Sequence, residues 1–406
     1  MPLDWDGPSA ARTAALLAGE VAVLPEAERV RRRAGLAQAA EAAGCDLVLV
    51  YGADRSGSGV PWLTGWGPTR EAALLVDLRA EDADVLWVQF HNHVRLAGER
   101  AKACEVRWGG PSTADALVAE LQARGGSGRR LGVVGPVRWT LAGRLAGEVA
   151  ELVDLGGAYT RLRMIKSPHE LDLLAVGAAL SDAAALAMHA AATPGTTDHE
   201  LLDAVERAYV PRGGQTHIHY VGVTSMADPD RPVPPQLPLG RTVADDAVIV
   251  TELSARFAGY AGQVLRTMTP ADALTPRYAE LHDVAAATFD AVCAAIVTGA
   301  GPQEVVAAAG VVEEAGHTTI DDLVHGFGGG YLPPVIGSAS RPAGPLPDVT
   351  FAPGMCVVVQ PNVVAADGLA GVQTGELVVV TDDGVVSLHT APRGPWVGAG
   401  TGRAPG

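Results

Sequence analysis

Val248-Ile249-Val250-Thr251-Glu252-Leu253-Ser254, resumed as Gly259-Tyr260-Ala261-Gly262-Gln263-Val264-Leu265-Arg266-Thr267, is the stretch on which the fold turns. The run Ala247–Leu253 reads as a β-strand, apolar until it reaches Glu252. A carboxylate at the end of an apolar strand needs a partner or a ligand, because an unpaired buried charge is costly. An ion pair, for instance with Arg266, is one answer and a binding cleft is the other. Three more stretches stand in order around this one. Upstream lies Arg161-Leu162-Arg163-Met164-Ile165-Lys166-Ser167-Pro168-His169-Glu170. Downstream come His325-Gly326-Phe327-Gly328, then Pro353-Gly354-Met355-Cys356-Val357-Val358-Val359-Gln360-Pro361 with Gly371-Val372-Gln373-Thr374-Gly375-Glu376 after it.

The upstream stretch is a helix start. Ser167 suits the cap, Pro168 the first position, and Glu170 closes a capping box. A helix is predicted from there to about Ala192, with a second start at Thr197-Asp198-His199-Glu200. Further helices are expected over Arg277–Val297 and Pro302–Ala315, among β-runs at Thr216–Val223, Met355–Gln360 and Glu376–Thr381. Residues 224–242, rich in Pro and Asp, read as a long loop of the kind that often covers a site. Toward the N-terminus, residues 1–20 read as a loosely attached arm, and a helix runs over Glu26–Ala43. Short β-runs (Asp46–Tyr51, Ala72–Asp77, Asp84–Phe90, Leu131–Val134) then alternate with helices (Ser112–Arg124, Thr140–Glu151), the pattern of an α/β domain. The tail over 387–406 is Gly/Pro-rich with a Trp, and its last few residues read as disordered or as a dimer-contact arm.

A length of 406 residues suits two domains, and 48% hydrophobic content suits a sizeable core. A net charge of -16 argues against nucleic acid and anionic membranes, which call for a basic surface. Cys45, Cys104, Cys293 and Cys356 show no CxxC spacing, so buried reduced thiols and a cytoplasmic location are expected. MPLDWDGPSA has no basic or apolar leader character, and no run is read as a membrane span. The glycine run Gly326–Gly330 lacks the GK[ST] ending of a phosphate loop.

In order and spacing, the four stretches resemble the creatinase, Xaa-Pro aminopeptidase and methionine aminopeptidase family. The likeness covers residues 160–390 most strongly and reaches the first 155 through Trp62-Leu63-Thr64-Gly65-Trp66. It implies an α/β (α+β) protein with an N-terminal creatinase-type α/β domain over 1–157 and a C-terminal pita-bread domain over 158–406. The latter is expected as two half-domains related by pseudo-two-fold symmetry, with a site in the cleft between them. A homodimer is also implied, one subunit's N-terminal domain leaning over the other's site.

Metal-dependent members of that family hold two divalent ions with two Asp, one His and two Glu, and hard ions demand such anionic oxygens. Here the matching positions are Glu252, Gln263, His325, Gln360 and Gly375. The second histidine that the family often carries falls near Leu332-Pro333 and is missing. Glu376 stands one step past Gly375, which on a strand points it to the opposite side unless a bulge intervenes. Two carboxylates have become amides and one is gone, so no metal and no other cofactor is expected. The family's metal-free member, creatinase, hydrolyses a guanidine C–N bond with a histidine and cleft carboxylates. Its histidine loop matches Gly222–Asp230, which has none, leaving His217 and His219 just upstream as substitutes.

The catalytic candidates are therefore His325 as acid/base, Glu252, Gln360 and Gln263, the amides suiting a neutral C–N substrate. Substrate-binding candidates are His217 and His219, whose spacing places both on one strand face, with Tyr260, Arg266, Tyr331, Glu376 and Arg70, the last as a carboxylate anchor. The expectation is a metal-independent, hydrolase-like enzyme for a small amide, urea, guanidine or amidine. Three alternatives stay open: a non-hydrolytic lyase or rearrangement enzyme, a catalytically dead peptide-binding module, and an Xaa-Pro-type aminopeptidase with an unusual metal site.

Overall fold

The computed structural model describes residues 3–80 and 83–405. It divides into two compact units, Ala22–Arg163 and a second that joins the residues up to Val21 with those from Met164 onward. The first unit is built on β1 (Leu47–Ala53), β2 (Glu71–Asp77), β3 (Val85–Val88), β4 (Glu105–Trp108), β5 (Arg130–Val134) and β6 (Glu151–Asp154), in the order β4-β3-β2-β1-β5-β6. β1 pairs antiparallel with β2 and parallel with β5, and both β1 and β2 are almost wholly buried because helices cover both faces. The sequence reading missed β4 and β6. They are four-residue edge strands with exposed ends, charged at Glu105, Glu151 and Asp154, and so lack the apolar run that marks a strand. The helix expected over Thr140–Glu151 ends at Ala146 for the same reason: Glu151 already opens β6.

The second unit is organised by the helix Pro168–Ala191. Ser167 and Glu170 form the expected capping box, with Ser167 N donating to Glu170 at 3.1 Å and Glu170 N to Ser167 Oγ at 3.2 Å. This helix is long and apolar enough to cross a membrane by composition, which the sequence reading overlooked, but most of it is buried within its own unit as a core helix is. The helix Asp198–Tyr209 follows behind its own Thr197/Glu200 box. Then come β7 (Gln215–Ser225), β8 (Ala247–Phe257) and β9 (Tyr260–Met268), and after the helix Pro276–Ala295 a second run of strands. These are β10 (Thr318–Thr319), β11 (Val324–Phe327), β12 (Tyr331–Ile336), β13 (Cys356–Val359), β14 (Val363–Val364), β15 (Gly375–Thr381) and β16 (Gly384–Ser387). The helix expected over Pro302–Ala315 breaks into Pro302–Ala308 and Val311–Glu314 around Gly310.

The large sheet runs β12-β11-β13-β15-β9-β8-β7, with β16 on β15, and its pairs are antiparallel. The long helix lies tight against β9 because both surfaces carry glycine. A Cβ at Gly262 would stand 2.2 Å from Ala178 N, and one at Gly177 2.8 Å from Gly262 N. Ser181 fixes the register by donating to Gly262 O and accepting from Ala255 N at 2.8 Å.

The N-terminal arm departs from expectation, and much of the C-terminal tail is packed. The N-terminal arm forms the helix Ala10–Leu17 and is tied to the second unit: Trp5 Nε1 and Arg12 Nε donate to Asp172 at 3.0 and 2.9 Å. At the other end Trp396 is wholly buried, and the backbone of Trp396 and Ala399 donates to Thr267 and Thr269. The tail through Ala399 is thus part of the core, held by buried polar side chains that the Gly/Pro composition hid, while residues 401–404 lie exposed.

One of these is Asp182. It accepts from His389 Nδ1 at 2.8 Å, Thr390 N at 2.7 Å and Ala391 N at 3.2 Å. Burial alone would raise its pKa, but His389 and the backbone donors prevail and hold it at about 2, below the ordinary 3.8. A depressed carboxyl stabilises the fold above its unfolded value and loses that contribution as pH falls through its folded one. The contribution, about 2.5 kcal/mol at about 1.4 kcal/mol per unit, is complete above about pH 4 and fades toward pH 2. Asp182→Asn is expected to lower the unfolding midpoint at neutral pH and to flatten the stability curve between pH 4 and 2. Urea melts across that range test it, and parallel curves for both proteins would refute the assignment.

Candidate active site

Strand alternation sorts β8 and β9 into two faces. Thr251 and Arg266 belong to one, where Arg266 meets Glu376 at 2.6 Å. Glu252, Ser254 and Arg256 share the other, with Gln263 directly across from Ser254. On this second face Gln263 Nε2 donates to Glu252 Oε1 at 3.0 Å and to Gln360 Oε1 at 2.9 Å. Gln360 Nε2 in turn donates to Asp322 O at 3.1 Å and lies 3.5 Å from Asp322 Oδ2. Tyr331 hydrogen-bonds to Asp322. The result is a continuous strip, Glu252–Gln263–Gln360–Asp322–Tyr331, in which two adjacent amides link a carboxyl at either side and a phenol closes one end.

An aromatic row flanks it. His325 stacks on Tyr331 with centroids 4.2 Å apart and planes at 17°, and meets Phe327 edge-on at 5.5 Å. His217 meets Phe327 at 5.9 Å. His325 also bonds to Gln360, and its Nδ1 lies 3.2 Å from Gly326 O.

The electrostatics are unusual. Burial, then the charges of Asp321 and Asp322, push Glu252 up to about 8. Burial, then Asp321, raise Asp322 to about 7. Burial drives His325 the other way, down to about 4. The proton-exchanging groups near neutral pH are therefore carboxyls, and the histidine stays neutral.

Of the residues singled out by sequence, Glu252, Gln263, Gln360, His325 and Tyr331 come together, with His217 at the end of the aromatic row. The others do not. Glu376 makes a buried ion pair with Arg266 and accepts from Ser387 Oγ at 2.7 Å, on the face away from Gln263. Tyr260 donates to Glu170 at 2.7 Å. His219 bonds Tyr209 Oη at 2.8 Å. The expectation that His217 and His219 share a face fails because β7 is irregular between Thr216 and Ile218, an extra residue that turns His217 away from His219. Arg70 lies exposed in the other unit. Sequence reasoning missed Asp321 and Asp322, whose only signal was an acidic pair just ahead of the β-run that carries His325, and Ser254, next after Glu252 on the same face.

The residues do not fit two divalent ions. The amino group of Gln263, not an oxygen, sits between Glu252 and Gln360, and an N–H donor repels a cation. The place of the last carboxylate is filled: a Cβ at Gly375 would meet Val359 O at 2.7 Å and Leu265 Cδ1 at 2.9 Å. Among the described residues, no three His, Cys, Asp or Glu side chains are grouped to hold a metal ion.

Residues 172–382 match the model of metallopeptidase family M24, and 32–165 match the creatinase/prolidase N-terminal domain. The chain is 25% identical over 240 residues to a probable dipeptidase PepE of Mycobacterium tuberculosis, covering 57% of this chain and 60% of that protein. It therefore aligns with about 60% of the length of such curated relatives. Among solved structures, the Xaa-Pro dipeptidase from Bacillus anthracis superposes with a TM-score of 0.77 at 18% identity, over 91% of this chain and 99% of that one. Dipeptidase PepE from Mycobacterium ulcerans gives 0.75 at 22% identity, over 91% and 98%.

Proposed function

We propose that this chain, which belongs to metallopeptidase family M24 and carries a creatinase/prolidase N-terminal domain, is a C–N bond hydrolase that works without the family's two metal ions. Its two-domain α/β architecture, a creatinase-type domain followed by a pita-bread domain, is the one expected from the sequence. The activity is inferred from the site. The observation that carries it is the hydrogen-bonded strip in which Gln263 holds Glu252 by one oxygen and leaves the other carboxyl oxygen for chemistry.

A base that exchanges protons near neutral pH suits hydrolysis. Glu252 takes a proton from water as the water adds to the carbon of the C–N bond, and returns it to the departing nitrogen. Asp322, also close to neutrality, supports the same proton balance from the far end of the strip. His325 at about 4 is too weak a base for this task and instead fixes Gln360 and Tyr331. The role of water activator, expected of histidine, thus passes to a glutamate. A small neutral amide or urea, or an amidine or guanidine, can use the carboxyl and amide oxygens of the strip as acceptors.

Metal loading tests this reading. After incubation with excess manganese or cobalt and desalting, elemental analysis is expected to find well under one ion per chain. A chelator is expected to leave both the melting temperature and C–N cleavage unchanged. About one or two tight ions per chain, or cleavage lost on chelation, would return an Xaa-Pro-type metallopeptidase to the front.

A further inference from the structure

Adding water to a carbonyl places negative charge on its oxygen, and that charge needs a hydrogen-bond donor. The amides and the phenol of the strip have none to spare. Gln263 spends both of its N–H bonds on Glu252 and Gln360, Gln360 Nε2 faces Asp322 O and Oδ2, and Tyr331 turns its hydroxyl to Asp322. The neighbouring strand supplies a donor. β7 pairs antiparallel with β8 so that Tyr220 stands directly opposite Glu252, Ile218 opposite Ser254 and Gly222 opposite Val250. Directly opposed residues share a face, with Cβ atoms about 4.5–5.5 Å apart. Tyr220 is therefore beside Glu252 on the face of the strip. It is partly exposed, and its hydroxyl has no hydrogen-bond partner among the described residues. Two residues on, a Cβ at Gly222 would stand 2.9 Å from Pro234 Cα, so the 224–242 loop covers this face just beyond the phenol. Burial, then the charge of Glu252, raise Tyr220 above its ordinary 10, and the phenol keeps its proton at neutral pH.

We infer that Tyr220 is a catalytic residue of this site, its Oη–H donating to the carbonyl oxygen of the substrate and more strongly to the oxyanion that forms when water adds. The inference deepens the hydrolase reading and rests on it. In the first step Glu252 takes one proton from water, the water oxygen bonds to the carbonyl carbon, and the C=O π pair moves onto oxygen, where Tyr220 meets it. In the second step that pair re-forms C=O, the C–N bond breaks, and the departing nitrogen takes the proton from Glu252. Amide and water become acid and amine, and Tyr220 ends with the proton it began with. A donor placed here stabilises the transition state more than the ground state. An amidinium or guanidinium, whose positive charge is neutralised as water adds, gains little from it. The phenol thus favours the carbonyl compounds, amides and ureas, among C–N substrates.

Two probes test this, benzamide as the planar carbonyl and phenylboronic acid, which becomes a tetrahedral anion on taking up water. Each is measured on the parent, on Tyr220→Phe and on Ser254→Ala, the serine being another hydroxyl on this face. By calorimetry the parent is expected to bind phenylboronic acid at least about ten-fold more tightly than benzamide. Tyr220→Phe is expected to weaken phenylboronic acid about ten-fold or more and benzamide less than about three-fold. Ammonia release from benzamide is expected to fall about 10²-fold or more in kcat, with KM within about three-fold. The variant loses no hydrogen bond of the fold, so its melting temperature should match the parent's. No preference for the boronate in the parent would overturn the assignment. So would equal losses for both probes, no loss, or a loss that falls on Ser254→Ala instead. Boronate selectivity that depends on Tyr220, in a protein that releases ammonia from neither benzamide nor phenylurea, would keep the donor and overturn the hydrolysis assigned to it. Ammonia release that Tyr220→Phe leaves unchanged would keep the hydrolase reading and remove the donor.

Discussion

Glu252→Gln is expected to reduce C–N cleavage by about 10³-fold or more while leaving the protein folded and, at pH 8, more stable than the parent. A positioned general acid/base is worth about 10²–10⁴-fold, and the amide keeps the shape and the acceptor oxygen that Gln263 uses. The gain in stability follows from the sign of the shift. Glu252 has its pKa raised to about 8 by burial, then by Asp321 and Asp322, against an ordinary 4.5. Between those values the unfolded chain has released the proton and the folded chain still holds it, so stability falls as pH rises. The ceiling on that loss is about 5 kcal/mol, less after partial solvent screening. Glutamine has no proton to lose, and its stability should not fall across this window. Two signs of effect in one substitution separate a catalytic group from a structural one. Cleavage within ten-fold of the parent would remove Glu252 from the chemistry, and a melting temperature below the parent's at pH 8 would show that it holds the fold instead.

That the site could be read from sequence as far as Glu252, Gln263, His325 and Gln360 has a physical reason. Their convergence was implied by the resemblance to the creatinase and Xaa-Pro aminopeptidase family, and it transfers because each sits on or beside a strand of the same sheet, where position along the motif fixes the face. The same alternation placed Glu376 on the far face, where its side chain lies. What was not legible depends on backbone irregularity or on long-range pairing. The bulge near His217 changes the face of one histidine by inserting a single residue, which no periodicity reveals. Asp321 and Asp322 reach the strip only because the segment entering β11 brings them beside Gln360, a contact made across 38 residues of chain. The packing of the tail around Ala391 was not legible because Gly and Pro dominate it, yet its backbone there is held by Asp182 and Arg266, more than a hundred residues away.

Arg266→Met is expected to cost the second unit about 3–5 kcal/mol, the largest loss of stability foreseen here. The guanidinium is wholly buried and spends its donors on five acceptors. It reaches Glu376 at 2.6 Å, Pro392 O at 2.7 Å, Leu265 O and Ala391 O at 2.9 Å, and Gly375 O at 3.0 Å. Removing it strands Glu376 as an uncompensated buried charge and frees the tail at Ala391 and Pro392. For a unit of this size the melting temperature should fall by roughly 6–20 °C, at about 2–4 °C per kcal/mol. The tail beyond Leu388 should become open to protease while the rest still resists. Adding Glu376→Leu separates the two contributions. If the buried carboxylate dominates, the double variant recovers most of the loss, because an apolar pair replaces an ion pair at little cost. If the carbonyl contacts dominate, the double variant stays unstable and the tail stays cleavable. A single variant that melts within 2 °C of the parent would show that this ion pair, though buried, contributes little net stability.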